Sequence, residues 1–226
     1  MTPWSEWKHI TKLDPDKRNT RSLVAAVMES GTDAIMVSGT QDVTPGKVDY
    51  LLRLLKDSPK PVVLEPSHKD LVRFDVDYVF VPMVLNATER WWFIEAHRDW
   101  LRRSLLEAGS RDWEKIVCEA YIVLNQDSAV ARVTKSDTNL EDEDVIAYAL
   151  FADRLLRVPI VYLEYSGRYG DPRLVAKVKR SMGQAALFYG GGIDSMERAL
   201  EMSRHATIIV GNVVYEDLGR YLSTIV

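Results

Sequence analysis

The sequence predicts a (β/α)8 barrel, and three observations lead to this fold class. Eight short apolar runs alternate with segments whose apolar residues recur at helical spacing. Most of the runs are continuously apolar, as is typical of parallel strands covered on both faces. Nearly all of them end in Gly, Asn, Asp or Ser, which favour a turn into a helix. A doubly wound open sheet is the alternative, but the even strand number and the glycines late in the chain favour the barrel.

The predicted elements alternate along the whole chain. The strands cover residues 9–15, 33–39, 61–67, 78–86, 119–125, 159–167, 186–193 and 206–212. The helical segments cover residues 19–30, 44–58, 87–109, 139–157, 171–182, 194–205 and 215–226. The first helix opens on the cap candidates Asn19 and Thr20. Proline stands near the start of the second and fifth helices, at Pro45 and Pro172, where its missing N–H costs nothing.

One interval breaks the alternation. Only residues 68–78 separate the third and fourth strands, and this stretch is too short for a helix with two loops. We therefore expect the third helix to be missing or replaced by an extended segment. Since no linker or low-complexity segment divides the chain, residues 1–226 are interpreted as a single barrel domain.

Composition excludes several classes of function. The chain has 226 residues, of which 27% are charged, and a net charge of −4 without a Lys/Arg block, so we expect no nucleic-acid partner. The lone cysteine, Cys118, excludes an internal disulfide and a cysteine metal cluster. No apolar run is long enough to span a bilayer, and the N-terminal residues lack the apolar core of a signal peptide. We expect a cytoplasmic protein.

In a barrel, the site lies at the C-terminal ends of the strands, and here those ends are unusually polar. Lys12 and Asp14 end the first predicted strand, and Thr40 follows the second. Further candidates at strand ends are Ser38, Gly39, Glu65, Ser67, Asn86 and Asn125. These positions are predicted to surround one site.

The sixth strand carries a glutamate inside an apolar run. Residues alternate faces along a strand, so Tyr162, Glu164 and Ser166 share one side, while Leu163 and Tyr165 take the other. A carboxylate that faces a core is costly unless it is paired or used. Glu164 is therefore a candidate functional residue.

Glycine-rich turns follow the last two strands, at residues 190–193 and 211–212. Tight loop geometry would explain either turn alone. In barrels, however, phosphate commonly binds at these two strand ends, where glycine lets backbone N–H groups approach the ligand. The pattern predicts a phosphate monoester held near Gly192, Gly211 and Asn212, with Ser166 and Gly167 closing the cradle.

Lys12 and Asp14 face the predicted phosphate cradle. A simple ion pair at a strand end would explain them. Asp14 with the hydroxyl of Thr40 also forms a plausible Mg²⁺ site, because Mg²⁺ takes one or two protein oxygens and completes its shell with water and phosphate.

Residues 89–106 form an amphipathic segment rich in tryptophan. Trp92, Ala96 and Trp100 are spaced for one helical face. Ordinary barrel packing, an oligomer contact or a hydrophobic groove would each account for this stripe.

The stretches YLEYSG (162–167), YGGGI (189–193) and VGN (210–212), with matching segments along nearly the whole chain, resemble the geranylgeranylglyceryl phosphate synthases. This archaeal-type family is related to the bacterial heptaprenylglyceryl phosphate synthases. Gln126 departs from the proline that relatives commonly have there. The resemblance implies a modified (β/α)8 barrel without the third helix, a homodimer, and attack of the sn-3 hydroxyl of sn-glycerol 1-phosphate on C1 of geranylgeranyl diphosphate.

The resemblance also implies a set of site residues. The metal positions for Mg²⁺ are Asp14 and Thr40. The glycerol phosphate positions are Lys12, Tyr162, Leu163, Glu164, Tyr165, Ser166, Gly167, Gly192, Gly211 and Asn212. Glu164 would then accept the proton of the attacking hydroxyl, which Tyr162 positions, or would only hydrogen-bond the glycerol. Apart from the resemblance, the tryptophan stripe itself leads us to predict that Trp100 helps to limit the length of the prenyl tail.

Three alternatives remain open from the sequence. The donor could carry a longer heptaprenyl chain, which would require small residues along the tryptophan stripe. A non-catalytic phosphate-binding barrel would not need Glu164 as a base. A sugar-phosphate isomerase would share the phosphate cradle but leave the aromatic segment unexplained.

Overall fold

A computed structural model describes residues 2–106 and 112–226. Eight strands form a closed barrel in which each strand pairs in parallel with its two neighbours, which confirms the predicted fold class. The strands are β1 (His9–Leu13), β2 (Ala34–Ser38), β3 (Val62–Glu65), β4 (Tyr78–Val84), β5 (Ile116–Val123), β6 (Ile160–Glu164), β7 (Ala186–Gly190) and β8 (Thr207–Val210).

Helices cover the outside of the barrel in the described part of the chain. They are α1 (Arg21–Glu29), α2 (Pro45–Leu54), α3 (Glu95–Leu106), α4 (Ala129–Thr134), α5 (Asp142–Leu150), α6 (Pro172–Ser181), α7 (Met196–Met202), α8 (Asn212–Glu216) and α9 (Leu218–Ser223). Thr20 caps α1 by accepting a hydrogen bond from the Leu23 N–H. Pro45 and Pro172 begin α2 and α6, as predicted. None of the described helices is long and apolar enough to cross a membrane.

The interval between β3 and β4 contains a single 3-10 turn, Lys69–Leu71, and otherwise runs without helix or strand. This confirms that the third helix of a regular barrel is missing. The 3-10 turn leaves the adjacent face of the barrel less covered than a full helix would. An ion pair between Lys69 of this turn and Asp99 of α3, at 2.5 Å, holds α3 next to the gap.

The predicted helix over residues 87–109 is wrong at its start. A 3-10 turn, Arg90–Trp92, comes first, and α3 begins only at Glu95. The bulky run from Trp91 to Ile94 has low helix propensity, because aromatic and β-branched side chains lose rotamer freedom in a helix. Trp92 is therefore not one turn of α-helix before Ala96. Residues 107–109 lie outside the described residues.

Three further features of the helices differ from the prediction. The segment 139–157 ends in a π-helical stretch, Phe151–Leu156, after α5. The last predicted helix is divided in two at Asp217. The backbone of Asp217 is extended, and its side chain caps α9 by accepting a hydrogen bond from the Arg220 N–H. The short helix α4 was not predicted; Ser128 caps it by accepting from the Ala131 N–H. Local capping chemistry explains both of these last differences.

The apolar core has an outer and an inner part. The outer part packs the strands against the helices. The inner part fills the barrel, and its lower end is closed by the aromatic residues Trp4, Trp7, Phe80 and Phe188. At the opposite end, where the strands finish, the inward-facing positions become polar.

Candidate active site

The mouth of the barrel carries a buried layer of polar side chains. Strand alternation points Tyr121 on β5 and both Tyr162 and Glu164 on β6 into the barrel, and the register sets Tyr121 beside Tyr162. Glu164 is 1% exposed and Glu65 is 7% exposed, so both carboxyl groups lie out of bulk water. The burial of Glu164 agrees with the prediction that this carboxylate faces a core, whereas the burial of Glu65 was not predicted.

Glu164 is fixed by the chain that follows it. Its Oε1 accepts a hydrogen bond from the Ser166 N–H at 2.6 Å, and this bond closes the turn at the end of β6. Tyr162 lies beside it, and a Cβ at Gly190 would meet the Tyr162 hydroxyl oxygen at 2.0 Å, so glycine is required there. Burial, followed by the Glu164 carboxylate, raises the pKa of Tyr162 well above its ordinary value. The phenol therefore keeps its proton and can act as a donor.

Lys12 is the cation of this layer. Its Nζ lies 4.0 Å from Glu65 Oε1. Burial alone would lower the pKa of Lys12, but the surrounding carboxylates outweigh burial and raise it; in order of effect they are Glu65, Glu164, Asp14 and Glu119. Lys12 therefore stays an ammonium group at the centre of the mouth.

Glu65 is held from two sides. Its Oε1 accepts a hydrogen bond from the Ser38 hydroxyl, and its Oε2 accepts one from the Tyr121 hydroxyl. Burial, followed by this carboxylate, raises the pKa of Tyr121 well above its ordinary value. Both carboxyl oxygens of Glu65 are therefore held in place beside Lys12.

Asp14 and Thr40 lie at the rim of the mouth and line the same cavity. A Cβ at Gly39 would come within 2.4 Å of Asp14 Oδ1, so only glycine lets the Asp14 carboxylate lie against the backbone that leads to Thr40. Burial raises the pKa of Asp14, against a hydrogen bond from the Asp16 N–H and the charge of Lys12. A carboxylate and a hydroxyl are hard oxygen donors of the kind Mg²⁺ prefers, so this pair fits such an ion. The described residues hold no cluster of three or more His, Cys, Asp or Glu suited to a metal.

The glycine turn after β7 packs tightly against the loop after β6. Gly192 has a φ of +60°, and a Cβ there would lie 2.4 Å from the Tyr169 nitrogen. The Arg198 guanidinium donates to the Gly192 carbonyl oxygen at 3.0 Å and to Asp194 at 2.9 Å. These contacts hold the turn at the edge of the mouth.

A polar cavity occupies the mouth above the buried layer. Among the predicted residues, its lining contains Lys12, Asp14, Thr40, Tyr162, Ser166, Gly167, Gly192, Gly211 and Asn212. The structure thus brings together the predicted phosphate cradle and the predicted metal pair. Leu163 and Tyr165 point to the opposite face of β6, where Leu163 is buried in the outer core and Tyr165 packs on Tyr189. Only their main chain is available to the site.

An apolar groove adjoins the polar cavity. It runs from Glu164 toward the gap left by the missing helix, and its apolar walls include Val72, Val81, Trp92, Ala96, Trp100 and Val133. Trp92 reaches this groove from the 3-10 turn rather than from α3. Trp100 is 9% exposed and belongs to the outer core, so it fills space between the groove and the packed helices.

The groove and the polar cavity share part of their lining. The residues common to both are Lys12, Gly39, Thr40 and Ser166. One continuous site therefore has a polar end and an apolar end, and Glu164 lines the groove next to the shared residue Ser166.

Sequence reasoning missed two inward-facing residues of β5. Glu119 and Tyr121 share the inner face because they alternate with Cys118 and Ala120. The alternation rule that identified Glu164 would have found them. However, the predicted strand began at Glu119. No apolar residue of the run preceded this carboxylate, so the sequence pattern did not indicate that it is buried.

Comparisons of the sequence with known proteins point to one family. Residues 2–226 match the PcrB family. The chain is 50% identical over 217 residues to a geranylgeranylglyceryl phosphate synthase of Methanoculleus marisnigri, covering 95% of this chain and 93% of the relative. It is 42% identical over 221 residues to a heptaprenylglyceryl phosphate synthase of Geobacillus sp. strain WCH70, covering 97% and 96%.

A solved structure supports the fold. The crystal structure of (S)-3-O-geranylgeranylglyceryl phosphate synthase from Thermoplasma acidophilum, in complex with sn-glycerol-1-phosphate, superposes with a TM-score of 0.80. The match covers 99% of this chain and 93% of that chain at 22% identity. The barrel architecture is thus shared at low sequence identity.

Proposed function

The chain belongs to the PcrB family, and on that premise we propose that it is a prenyltransferase joining sn-glycerol 1-phosphate to geranylgeranyl diphosphate. Relatives with 50% and 46% identity bear the name geranylgeranylglyceryl phosphate synthase. The product would be the monoether of glycerol phosphate, with diphosphate released. This is the first ether bond of an archaeal-type membrane lipid.

The observation that carries this proposal is the shared lining of the two cavities. An anionic glycerol phosphate suits the polar cavity around Lys12, and a long hydrocarbon tail suits the apolar groove past Trp92. The reacting atoms of both substrates would then meet where the cavities join, beside Glu164. Holding two substrates in this way supplies much of the rate of a displacement reaction.

The reaction requires one bond to form and one to break. The oxygen of the glycerol sn-3 hydroxyl attacks C1 of the prenyl donor, and the bond from C1 to diphosphate breaks. We assign Glu164 as the base that takes the hydroxyl proton, because its carboxylate is buried at the junction and oriented by the Ser166 N–H. The protonated Tyr162 phenol donates to the substrate and positions it.

The phosphate of glycerol phosphate would lie between Lys12 and the loops that contain Gly167, Gly192 and Gly211. These loops line the polar cavity at glycines, where no side chain would obstruct the approach of an anion to main-chain N–H groups. Asn212 lines the same wall. The ammonium of Lys12 supplies the positive charge.

Asp14 and Thr40 would hold Mg²⁺ on the side of the polar cavity that adjoins the groove. When bound, the ion would neutralise charge that builds on the departing diphosphate. Thr40 lines both cavities and Asp14 lines the polar one, which supports the proposal that the diphosphate of a donor lying in the groove would end near this pair.

Two other functions are less well supported. A heptaprenyl donor is favoured by the 42% identical relative, but Trp100, which is buried in the outer core beside the groove, would obstruct a longer tail. A non-catalytic phosphate-binding barrel would leave the apolar groove and the buried Glu164 without a use.

The proposal is tested by mixing purified protein with geranylgeranyl diphosphate, Mg²⁺ and either enantiomer of glycerol phosphate. We expect diphosphate release and an ether product with sn-glycerol 1-phosphate, and at least about tenfold less with sn-glycerol 3-phosphate. Removal of Mg²⁺ with EDTA should abolish turnover. Equal turnover of both enantiomers would contradict the assignment of the acceptor.

A further inference from the structure

Glu119 is a buried carboxyl group that the reaction does not use. It points into the barrel from β5, below Tyr121, and is 0% exposed. Neither of its side-chain oxygens has a hydrogen-bond partner among the described residues. Since buried acids are normally paired or hydrogen-bonded, this arrangement requires an explanation.

The groups around Glu119 come from several strands. Glu65 on β3 acts on it most strongly, Lys12 on β1 acts in the opposite sense, and Cys118 precedes it on β5. Tyr121 and, on β6, Tyr162 and Glu164 complete the buried layer above it. Within the described part of the chain, the carboxylates near Glu119 therefore outnumber the cations.

An ionised Glu119 would be poorly compensated. Taking a carboxylate out of water without donors is costly, and the negative charge of Glu65 adds repulsion. Burial, followed by the Glu65 carboxylate, accordingly raises the pKa of Glu119 well above its ordinary value, while Lys12 lowers it only in part. The neutral acid avoids both costs and gains an O–H to donate.

We propose that Glu119 is a positioning residue that stays protonated at neutral pH, directs its O–H toward Glu65, and so leaves a single negative charge on the Glu65–Glu119 pair to balance Lys12. Glu65 already accepts from Ser38 and Tyr121, and its Oε1 lies 4.0 Å from the Lys12 Nζ. A third donor from below completes the frame that holds Glu65 against Lys12.

The consequence concerns anion binding in the mouth. With Glu119 neutral, the layer under the polar cavity carries one negative charge fewer. The positive charge of the Lys12 ammonium is then less neutralised by carboxylates and attracts a phosphate more strongly. An extra charge within several ångströms of the phosphate would weaken binding by roughly tenfold or more. This role toward phosphate rests on the function proposed above, whereas the protonation of Glu119 does not.

The protonation is tested by thermal unfolding of wild type and Glu119→Gln at pH 5, 6, 7 and 8. A group whose folded pKa is raised gives stability below its unfolded pKa that is lost as the pH rises toward the folded pKa. The amide of the variant does not titrate. The Tm of the variant should therefore rise relative to the Tm of wild type by about 3 °C for each unit by which the pH increases. Glu29→Gln, at the exposed end of α1, is the control and should track wild type.

The positioning role is tested with Glu119→Met, which has a similar shape but no hydrogen-bonding group. We expect the Kd and the KM for sn-glycerol 1-phosphate to rise by about five- to tenfold, with kcat changed less than about threefold. Glu119→Gln keeps an N–H donor and should restore most of the affinity. Calorimetric titration gives the Kd without the prenyl donor.

Several outcomes would overturn the proposal. Unfolding curves of wild type and Glu119→Gln that run parallel from pH 5 to pH 8 would mean that Glu119 is ionised like an ordinary acid. Equal glycerol phosphate affinity in both variants and wild type would remove the positioning role. If Glu119→Met does not fold, the pH series on Glu119→Gln still decides the protonation. If wild type binds no glycerol phosphate, the proposed function fails instead, and the pH series is unaffected.

Discussion

At the scale of single residues, the site depends on carboxyl groups that share one enclosure but differ in their partners. Glu164 accepts from the Ser166 N–H and lines the groove next to Ser166, which borders both cavities, so it is placed to receive a proton from a substrate. Glu65 accepts hydrogen bonds from Ser38 and Tyr121, and its Oε1 lies 4.0 Å from the Lys12 Nζ. Their surroundings, more than their identity as glutamates, separate the roles.

Glu164→Gln keeps the shape of the side chain and removes the base. We expect kcat to fall by about 10²–10⁴-fold while the Kd for sn-glycerol 1-phosphate changes by less than about tenfold. Glu29→Gln serves as a control for a lost surface carboxylate. Turnover near wild type would show that Glu164 only hydrogen-bonds the glycerol.

His9 makes stability depend on pH at the other end of β1. Its Nδ1 lies 2.9 Å from Thr32 Oγ1 and its Nε2 3.2 Å from Thr224 Oγ1, and burial, opposed by Asp33, lowers its pKa from 6.5 to about 4. The folded protein favours the neutral form of His9. The contribution of His9 to the free energy of unfolding is therefore fully present above pH 6.5 and is lost as the pH falls from about 6.5 to 4.

The loss at His9 should amount to about 3 kcal/mol in total. It is measured by urea unfolding of wild type and His9→Gln between pH 7 and pH 4. The stability advantage of wild type should shrink across this interval. An advantage that does not change with pH would contradict the assignment of His9 as a buried neutral side chain.

Alternation along a strand was enough to single out Glu164 from the sequence, because the glutamate interrupts a long apolar run. The same rule did not reveal Glu119, because it stands where the predicted fifth strand began. The partners of Glu65 could not be predicted either. Ser38 is the register partner of Glu65 on the neighbouring strand β2, and Tyr121 reaches it from β5, two strands away, so both contacts depend on the strand register.

At the scale of elements, the two segments that depart from a regular barrel build the apolar groove. The 3-10 turn Lys69–Leu71 replaces a helix, and the late start of α3 frees Trp92 to line the groove. The short interval between β3 and β4 was visible in the sequence, since length alone excluded a helix. The start of α3 was not, because the spacing of Trp92, Ala96 and Trp100 fits a helix and conceals the break.

Trp100 on α3 is expected to limit the tail. Trp100→Ala would open the groove toward the outer core, so the ratio of heptaprenyl to geranylgeranyl turnover should rise by about tenfold or more. The same change should cost about 3–5 kcal/mol of stability. Trp113→Ala, which removes a tryptophan that is 53% exposed, is the control. An unchanged chain-length profile in a folded Trp100→Ala protein would rule out this role.

Asp153 fixes the connection between α6 and β7. Its carboxylate accepts from the N–H groups of Gly183, Gln184 and Ala185 at 2.7, 2.9 and 2.8 Å. Burial would raise its pKa, but these three donors and Arg154 outweigh burial and lower it. An ionised carboxylate is therefore preferred in the fold.

Asp153→Asn keeps the size of the side chain but replaces one acceptor oxygen by a donor. We expect a loss of about 2 kcal/mol in the free energy of unfolding, measured in urea. The exposed Asp57→Asn should change it by less than about 0.5 kcal/mol. A similarly small change at Asp153 would mean that the loop does not depend on these bonds.

At the scale of the whole molecule, the barrel places a polar cavity and an apolar groove at the same end and joins them at Lys12, Gly39, Thr40 and Ser166. The sequence predicted the barrel and most of the polar rim. It could not show that the two cavities are continuous, because this depends on how β3, β4 and α3 pack around the missing helix.

The homodimer implied by the family resemblance stays a prediction. Large apolar side chains are exposed on neighbouring turns of α7, at Met196 and Leu200, and of α9, at Leu218 and Leu222. Light scattering of the purified chain measures its mass directly, and twice the mass of one 25.8 kDa chain is the expected result.

The measurement that tests the account most directly is diphosphate release by the wild-type protein with Mg²⁺, sn-glycerol 1-phosphate and a series of farnesyl, geranylgeranyl and heptaprenyl diphosphates. We predict that turnover peaks with geranylgeranyl diphosphate, because on the proposed function the groove would accept a long tail and Trp100 would limit its length. A peak with the heptaprenyl donor would keep the chemistry and contradict the role of Trp100. No release with any donor, despite measurable binding of glycerol phosphate, would contradict the central claim that the joined cavities are the active site of a prenyltransferase.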